Sequence, residues 1–123
     1  MQNKETNIKN KYEIEGDLLK IYIENKKGEK FTVLADAEDF ENLSLSTWNA
    51  HKKKSTGKWY ARTWRGGKHT TMHVLLMKPP KGMVVDHINE DGMCNKKDNL
   101  RIVTILENNS FRSDRFRATS LDK

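Results

Sequence analysis

Apolar residues in this chain come in short runs that glycine-containing turns separate. The longest uninterrupted run is Val74–Met77, far short of the about 18 apolar residues that suggest a membrane-spanning helix. Leu19, Ile21 and Ile23 alternate with other residues, and this period of two is typical of a half-buried strand. Short alternating strands between turns, with small helices beside them, make the expected fold class α+β.

Two glycine turns define the strands of the first half. Asn25–Gly28 separates the alternating segment from a returning strand at Lys30–Leu34. Arg65–Lys68 predicts a tight hairpin turn, because the two glycines at its centre accept the positive φ that such a turn requires. The segments on either side of this turn, 58–64 and 69–72, are expected to pair as antiparallel strands.

Two short helices are expected beside these strands. Asp36 is a suitable helix N-cap and is followed by acidic residues in the first turn, which predicts a helix to about Leu45. A second helix of one or two turns is expected at His73–Met77, because Pro79-Pro80 stops it.

Length and composition limit the kind of protein. The 123 residues, with a mass of 14.3 kDa, suit one folding unit, with residues 1–72 as an N-terminal region in front of a C-terminal unit at 73–123. Cys94 is the single cysteine, which excludes an internal disulfide and a zinc site built from cysteines. The first residues lack the apolar core of a signal peptide and the mean hydropathy is −0.88, so a soluble, cytoplasmic protein is expected.

Positive charge is concentrated in the middle of the chain. Residues 42–85 contain nine lysines and arginines and no aspartate or glutamate, in a chain with a net charge of +6. Such a block attracts a polyanion, and aromatic residues within it, such as Trp59 and Trp64, suit stacking or packing against nucleic acid. The alternative is a solvated basic face around core tryptophans. The candidate contacts to nucleic acid are Lys52, Lys53, Lys54, Lys58, Arg62, Arg65 and Lys68.

The last third of the chain predicts a strand, a loop, a second strand and a helix. Met83–Val85 is a short strand that ends at the pair Asp86-His87, and turn residues follow it. Leu100–Val103 is the second strand. Thr104 and Glu107 have the spacing of a capping box, so a helix is expected to start at Thr104 and to bury Ile105 and Leu106.

Three polar side chains can converge in that unit. Asp86 and His87 lie at a strand end, and Asn108 lies in the first turns of the helix. A carboxylate and an amide oxygen are hard ligands that suit Mg²⁺ or Mn²⁺. A neutral histidine beside such an ion can deprotonate a water, and these groups together are those of a phosphodiester hydrolase.

Residues 73–109 resemble the HNH endonuclease motif, whose fold is the ββα-metal unit, in its phage and homing-endonuclease form. The resemblance rests on a His-led apolar segment, Pro-x-Gly, Asp-His-Ile-Asn, Asn-Leu-Arg, Thr and Glu-Asn, in that order and at the expected spacing. Residues 12–72 are more weakly similar to the front half of many such phage proteins. The resemblance therefore implies a hydrolase that cuts DNA, encoded by a phage or a mobile element.

The resemblance also implies a role for each matching residue. His87 matches the general base, Asp86 and Asn108 match two metal ligands, and Asn99 matches the middle asparagine, which braces the loop and completes the catalytic group. The implied cofactor is one divalent ion, Mg²⁺ or Mn²⁺, with no further small-molecule cofactor. The implied partner is double-stranded DNA without a membrane, cut to 5′-phosphate and 3′-hydroxyl ends. A monomer or weak homodimer with one site per chain would nick one strand.

Two further arginines and two rival functions complete the hypothesis. Arg112 and Arg115 follow Asn108 on the same helical face and are candidate contacts to the flanking phosphates, or simply cations at a helix C-terminus. A non-catalytic DNA-binding protein on the same fold is one rival. An RNase that uses the same residues is the other.

Overall fold

The computed structural model describes residues 8–108, a strand-rich α+β arrangement with few and short helices. A first antiparallel sheet contains β1 (Tyr12–Glu15), β2 (Leu18–Glu24) and β3 (Lys30–Asp36), and a second contains β4 (Asn49–Lys52), β5 (Trp59–Arg65) and β6 (Lys68–Thr71). A third sheet pairs β7 (Met83–His87) with β8 (Leu100–Thr104). The helices are α1 (Phe40–Leu43) and α2 (Met72–Met77), and residues 105–108 are also helical.

The core lies where the first two sheets meet α1 and α2. In β2 the residues Leu19, Ile21 and Ile23 are buried and the residues between them are half-buried, which confirms the period of two read from the sequence. Trp48 is 1% exposed, and its indole Nε1 donates to the carbonyl of Leu43 at 2.9 Å. The other side chains of this core are Leu19, Ile21, Ile23, Val33, Ala35, Leu43, Ala61, Met72 and Met93.

Most of the predicted turns and strands are confirmed. Gly66 and Gly67 have φ of 64° and 80°, the positive values that the hairpin turn between β5 and β6 requires. Helix α2 ends at Met77, two residues before Pro79, with Lys78 as its left-handed C-cap. At the start of the last helix, Glu107 N–H donates to Thr104 Oγ1 at 3.0 Å and Thr104 N–H donates to Glu107 Oε1 at 2.9 Å, which confirms the capping box.

Other predictions about local structure are wrong. Asp36 makes no capping hydrogen bond, and a 3₁₀ turn at Ala37–Asp39 precedes the single turn of α1, because its carboxylate instead accepts the backbone N–H of Lys97 at 2.9 Å. The sequence also suggests a basic loop from His51 to Gly57, but His51 and Lys52 belong to β4, which pairs with β5. Ile105 and Leu106, expected in the core, are 54% and 79% exposed.

The loop between β7 and β8 is fastened to the first sheet. Leu34 of β3 donates its N–H to the carbonyl of Met93 at 2.9 Å, and Asn95 donates its N–H back to the carbonyl of Leu34 at 2.6 Å. Leu34 and Cys94 thus form an isolated parallel bridge. The N-terminal half therefore fixes the position of a loop that lies about 60 residues further along the chain.

Gly92 brings the same loop against the second sheet. A Cβ atom at this position would collide with the backbone carbonyl of Trp59 and would lie 2.6 Å from the ring of Tyr60. Since a backbone atom cannot swing aside as the end of a side chain can, only glycine fits here without moving β5 or the loop.

No helix in residues 8–108 is long and apolar enough to cross a membrane.

We expect Gly92→Ala to lower the free energy of unfolding by about 1–3 kcal/mol, the usual cost of overpacking a close contact. Chemical denaturation measures this change. The control is Gly57→Asn, because Gly57 has a positive φ but open space around it, and asparagine tolerates that conformation. A Gly92→Ala variant as stable as wild type would contradict the close approach of the loop to β5.

Candidate active site

A cleft of about 690 Å³ joins the outer face of the second sheet to the strand β7. Asp86, His87 and Asn108, the three side chains expected to converge, all line it. From the second sheet and its loops, it is lined by His51, Lys53, Thr56, Lys58, Tyr60, Arg62, Lys68, His69, Thr70 and Thr71. The structure thus places the predicted chemistry and much of the basic segment on one cavity.

His87 is the best-positioned proton acceptor of the cleft. It is 6% exposed at the end of β7, and its Nε2 lies 2.8 Å from Oδ1 of Asn95. Since an amide oxygen carries no hydrogen, Nε2 must carry the proton of this bond, and the lone pair of the ring is then on Nδ1. Burial lowers the pKa of His87, so the ring is neutral near pH 7 and able to accept a proton.

Asn95 is held in place for this bond by its backbone. The residue is fully buried, and its N–H is part of the bridge to Leu34 described above. Its amide Nδ2 is buried without a hydrogen-bond partner, which costs about 1–3 kcal/mol. The amide keeps this orientation despite the cost, and in it Oδ1 accepts the hydrogen bond from His87 Nε2. We therefore interpret Asn95 as a positioning residue, which the sequence analysis did not identify.

Besides Asn95, two aromatic rings pack against the imidazole of His87. The ring of His73 lies edge-on at 4.5 Å between centroids, and the ring of Tyr60 lies at 5.8 Å. Burial, and then the charges of His87 and Lys53, lower the pKa of His73 to about 3, so this imidazole is a neutral packing partner. Tyr60 and His73 therefore shield His87 from water on this side.

The carboxylate of Asp86, which lines the cleft beside His87, is held by an arginine of the neighbouring strand β8. Its Oδ2 accepts hydrogen bonds from Arg101 Nη2 at 2.8 Å and from Arg101 Nε at 3.0 Å, and its side chain is 8% exposed. Arg101 is directly opposite Asp86 in the β7–β8 register. The contact with Arg101 offsets part of the cost of burying this carboxylate.

The donor set of the cleft fits a hard divalent cation. A carboxylate has two oxygens and about four acceptor sites, so the contact of Asp86 with Arg101 is compatible with a cation on the same group. Asn108 lines the same cleft and offers an amide oxygen. These are ligand types that Mg²⁺ and Mn²⁺ take, with water in the remaining positions.

A second acidic group lies away from this cleft. The carboxylates of Asp36, Glu38 and Asp39 offer ligand atoms within 4.8 Å of one another. Lys97 contacts all three, since its Nζ lies 2.9 Å from Asp39 and 3.4 Å from Glu38, and its backbone N–H donates to Asp36. This cluster is explained as the anchor of the segment before β8.

Asn99 ties the two ends of the β7–β8 loop together. Its Nδ2 donates to Asn89 Oδ1 and to the carbonyl of Cys94, each at 2.9 Å, and its Oδ1 accepts the N–H of Asn89 at 3.0 Å. These contacts are with the loop, as expected for a brace. Its place in the catalytic group stays a prediction.

The predicted nucleic-acid contacts lie in several environments. Lys53, Lys58, Arg62 and Lys68 line the cleft, whereas Lys52 and Lys54 are exposed beside it. Lys58 also forms an ion pair with Glu90 at 3.3 Å. Arg112 and Arg115 lie outside the described residues.

Arg65 faces away from the cleft, and its contact with nucleic acid stays a prediction. Its guanidinium donates to Ser46 Oγ at 2.9 Å, and to Oδ1 and the carbonyl of Asn42 at 3.0 Å each. Arg62 and Arg65 are three residues apart in one strand, and an odd spacing places side chains on opposite faces of a sheet.

Comparison with known proteins gives one match. Residues 78–110 match the model of a family described as HNH endonuclease, and this segment contains β7, β8, Asp86, His87, Asn95 and Asn108. The comparisons with curated proteins and with solved structures gave no match.

We expect His87 to be neutral near pH 7 with its proton on Nε2. A long-range ¹H–¹⁵N spectrum of the histidines distinguishes a protonated nitrogen from one with a lone pair, and His87→Gln assigns the signal. A proton on Nδ1 would mean that Asn95 presents its NH₂ group to the ring, which would contradict the tautomer inferred from the structure.

Proposed function

Because residues 78–110 match the model of the HNH endonuclease family, we propose that the chain is a metal-dependent endonuclease that nicks double-stranded DNA. The observation that carries this proposal is the neutral His87, fixed by Asn95 in the same cleft as Asp86 and Asn108. On this proposal β7, β8 and the helix that follows form the ββα-metal unit.

The reaction follows from the groups in the cleft. His87 Nδ1 accepts a proton from a water, and the water oxygen attacks the scissile phosphorus. The bond between phosphorus and the 3′ oxygen breaks, the leaving oxygen takes up a proton, and the products have 5′-phosphate and 3′-hydroxyl ends. Asn95 keeps Nε2 protonated throughout, so that Nδ1 stays the accepting nitrogen.

Asp86 and Asn108 would hold the Mg²⁺ or Mn²⁺ ion. Such an ion, when bound, stabilises the negative charge on the phosphate and on the leaving oxygen. Arg101 contributes by fixing the orientation of the Asp86 carboxylate through two hydrogen bonds.

Basic side chains on the second sheet would hold the DNA against this site. Lys53, Lys58, Arg62 and Lys68 line the cleft, and β4, β5 and β6 contain no aspartate or glutamate. Lysine and arginine contacts to phosphates supply most of the non-specific affinity of a DNA-binding protein. One proposed site per chain would cut one strand at a time, as a monomer or weak homodimer.

The direct test is incubation of the protein with supercoiled plasmid and Mg²⁺, with and without chelator. Relaxed circles that form only with the metal support the proposal. Matched DNA and RNA duplexes tested in parallel identify the substrate. Binding of duplex DNA without any cleavage, in Mg²⁺ and in Mn²⁺, would contradict the proposal and leave a DNA-binding protein on this fold.

We expect His87→Ala to lower the nicking rate by about 10²–10⁴-fold, the usual contribution of a general base, and to leave duplex binding nearly unchanged. Gel assays of plasmid relaxation and anisotropy of a labelled duplex measure the two quantities. A variant that nicks within a few-fold of the wild-type rate would remove His87 as the base.

We expect Asp86→Asn and Asn108→Ala each to weaken the binding of Mn²⁺ to the protein without DNA. Asparagine at position 86 keeps an oxygen for Arg101, so this variant tests the charge of the ligand more than the fold. Isothermal calorimetry with Mn²⁺ gives the affinity, and Asp98→Ala, an exposed carboxylate in the 3₁₀ turn before β8, is the control. Unchanged affinity in both variants would remove them as ligands.

A further inference from the structure

Trp64 is an exposed tryptophan on the outer face of the second sheet. Trp64 is 62% exposed, whereas Trp48 is 1% exposed and Trp59 packs against Phe31 with ring centroids 4.7 Å apart. The ring of His69 lies edge-on against Trp64 at 4.8 Å. Burying so large an apolar ring in a partner gives a substantial gain in free energy, so this indole is the strongest apolar contact available on that face.

Strand alternation defines what surrounds Trp64. Ala61 and Thr63 of β5 are buried, so Tyr60, Arg62 and Trp64 share the outer face. In the register, His69 lies opposite Trp64, and Asn49 and Thr71 lie opposite Arg62 on either side. The arginine of this hairpin that faces outward is therefore Arg62, since Arg65 bonds to Asn42 and Ser46 behind the sheet.

This outer face, made of Asn49, His51, Tyr60, Arg62, Trp64, His69 and Thr71, contains the cation Arg62 and no carboxylate. The cleft that it borders is also lined by Lys53, Lys58 and Lys68, so positive charge is concentrated there. A polyanion that also presents apolar groups is the ligand that such a face complements. Duplex DNA does so in its major groove, where the thymine methyl is the apolar group.

The face is also continuous with the candidate active site. Tyr60, Arg62 and His69 line the cleft, and the ring of Tyr60 lies 5.8 Å from that of His87. Trp64 lies four residues after Tyr60 in β5, which corresponds to about 13 Å at the rise of an extended strand. That distance corresponds to roughly four base-pair steps of DNA.

We propose that the outer face of β4–β6 lies in the major groove beside the scissile bond, where Trp64 contacts thymine methyl groups and Arg62 donates to guanine. This inference rests on the proposed function, because it takes duplex DNA as the ligand. A two-stranded ribbon fits the major groove, which is about 12 Å wide, but not the minor groove, which is about 6 Å wide. Bases within roughly four steps of the cut are then read by this face.

The first experiment compares two labelled duplexes of the same mixed sequence. One contains thymine, and the other contains uracil at every position where the first has thymine. We expect wild type to bind the uracil duplex several-fold more weakly, because the C5 methyl groups are missing. Trp64→Ala should bind both duplexes with equal affinity, and its dependence on salt should equal that of wild type, because no phosphate contact is lost. Leu45→Ala, an exposed apolar residue in the loop after α1, is the control and should discriminate as wild type does.

The second experiment follows quenching of tryptophan fluorescence by acrylamide. Trp64 dominates the quenching because the other two indoles are less exposed, so binding of the thymine duplex should reduce the quenching constant severalfold in wild type and little in Trp64→Phe.

The outcomes separate this proposal from the one it rests on. If wild type binds and nicks duplex DNA, but has equal affinity for the thymine and uracil duplexes and unchanged quenching, the proposed major-groove contact of the outer face is overturned. The proposed endonuclease function is then unaffected. Wild type that binds no duplex would overturn both. Equal loss of affinity for the uracil duplex in wild type and Trp64→Ala would overturn the role of Trp64.

Discussion

Two backbone hydrogen bonds at Leu34 determine the geometry of the site. They connect β3 to Met93 and Asn95, and through Asn95 they determine which nitrogen of His87 holds the lone pair. A loop of this length without such an anchor would sample many conformations, and the imidazole would lose its fixed tautomer. The proposed catalytic property of His87 thus depends on a strand in the other half of the chain.

The N-terminal half therefore has two roles in this account. The first sheet holds the β7–β8 loop through Leu34 and through the contacts of Asp36 and Asp39 with Lys97. The second sheet forms part of the cleft and packs Tyr60 beside His87. These contacts cross the boundary expected between residues 72 and 73, so the proposed nuclease unit depends on the region in front of it.

Local patterns in the sequence predicted much of this arrangement, and long-range contacts account for the rest. The hairpin at Gly66-Gly67 and the capping box at Thr104 depend on residues within a few positions, so spacing alone indicates them. Asp86, His87 and Asn108 could be chosen for their chemistry, and the cleft brings them together. No local pattern reveals contacts with partners up to 61 residues away. These contacts are the hydrogen bonds of Asn95 with His87, of Arg65 with Asn42 and of Lys97 with Asp36.

The central claim is that Asn95 gives His87 its catalytic tautomer. Plasmid nicking by Asn95→Ala and Asn95→Asp, beside duplex binding and unfolding of the same proteins, tests it most directly. The account predicts that Asn95→Ala nicks at least roughly tenfold more slowly with unchanged binding, because part of the general-base contribution is lost. Asn95→Asp should keep more of the rate, since a carboxylate oxygen also accepts the Nε2 proton. A folded Asn95→Ala protein that nicks at the wild-type rate would contradict the account.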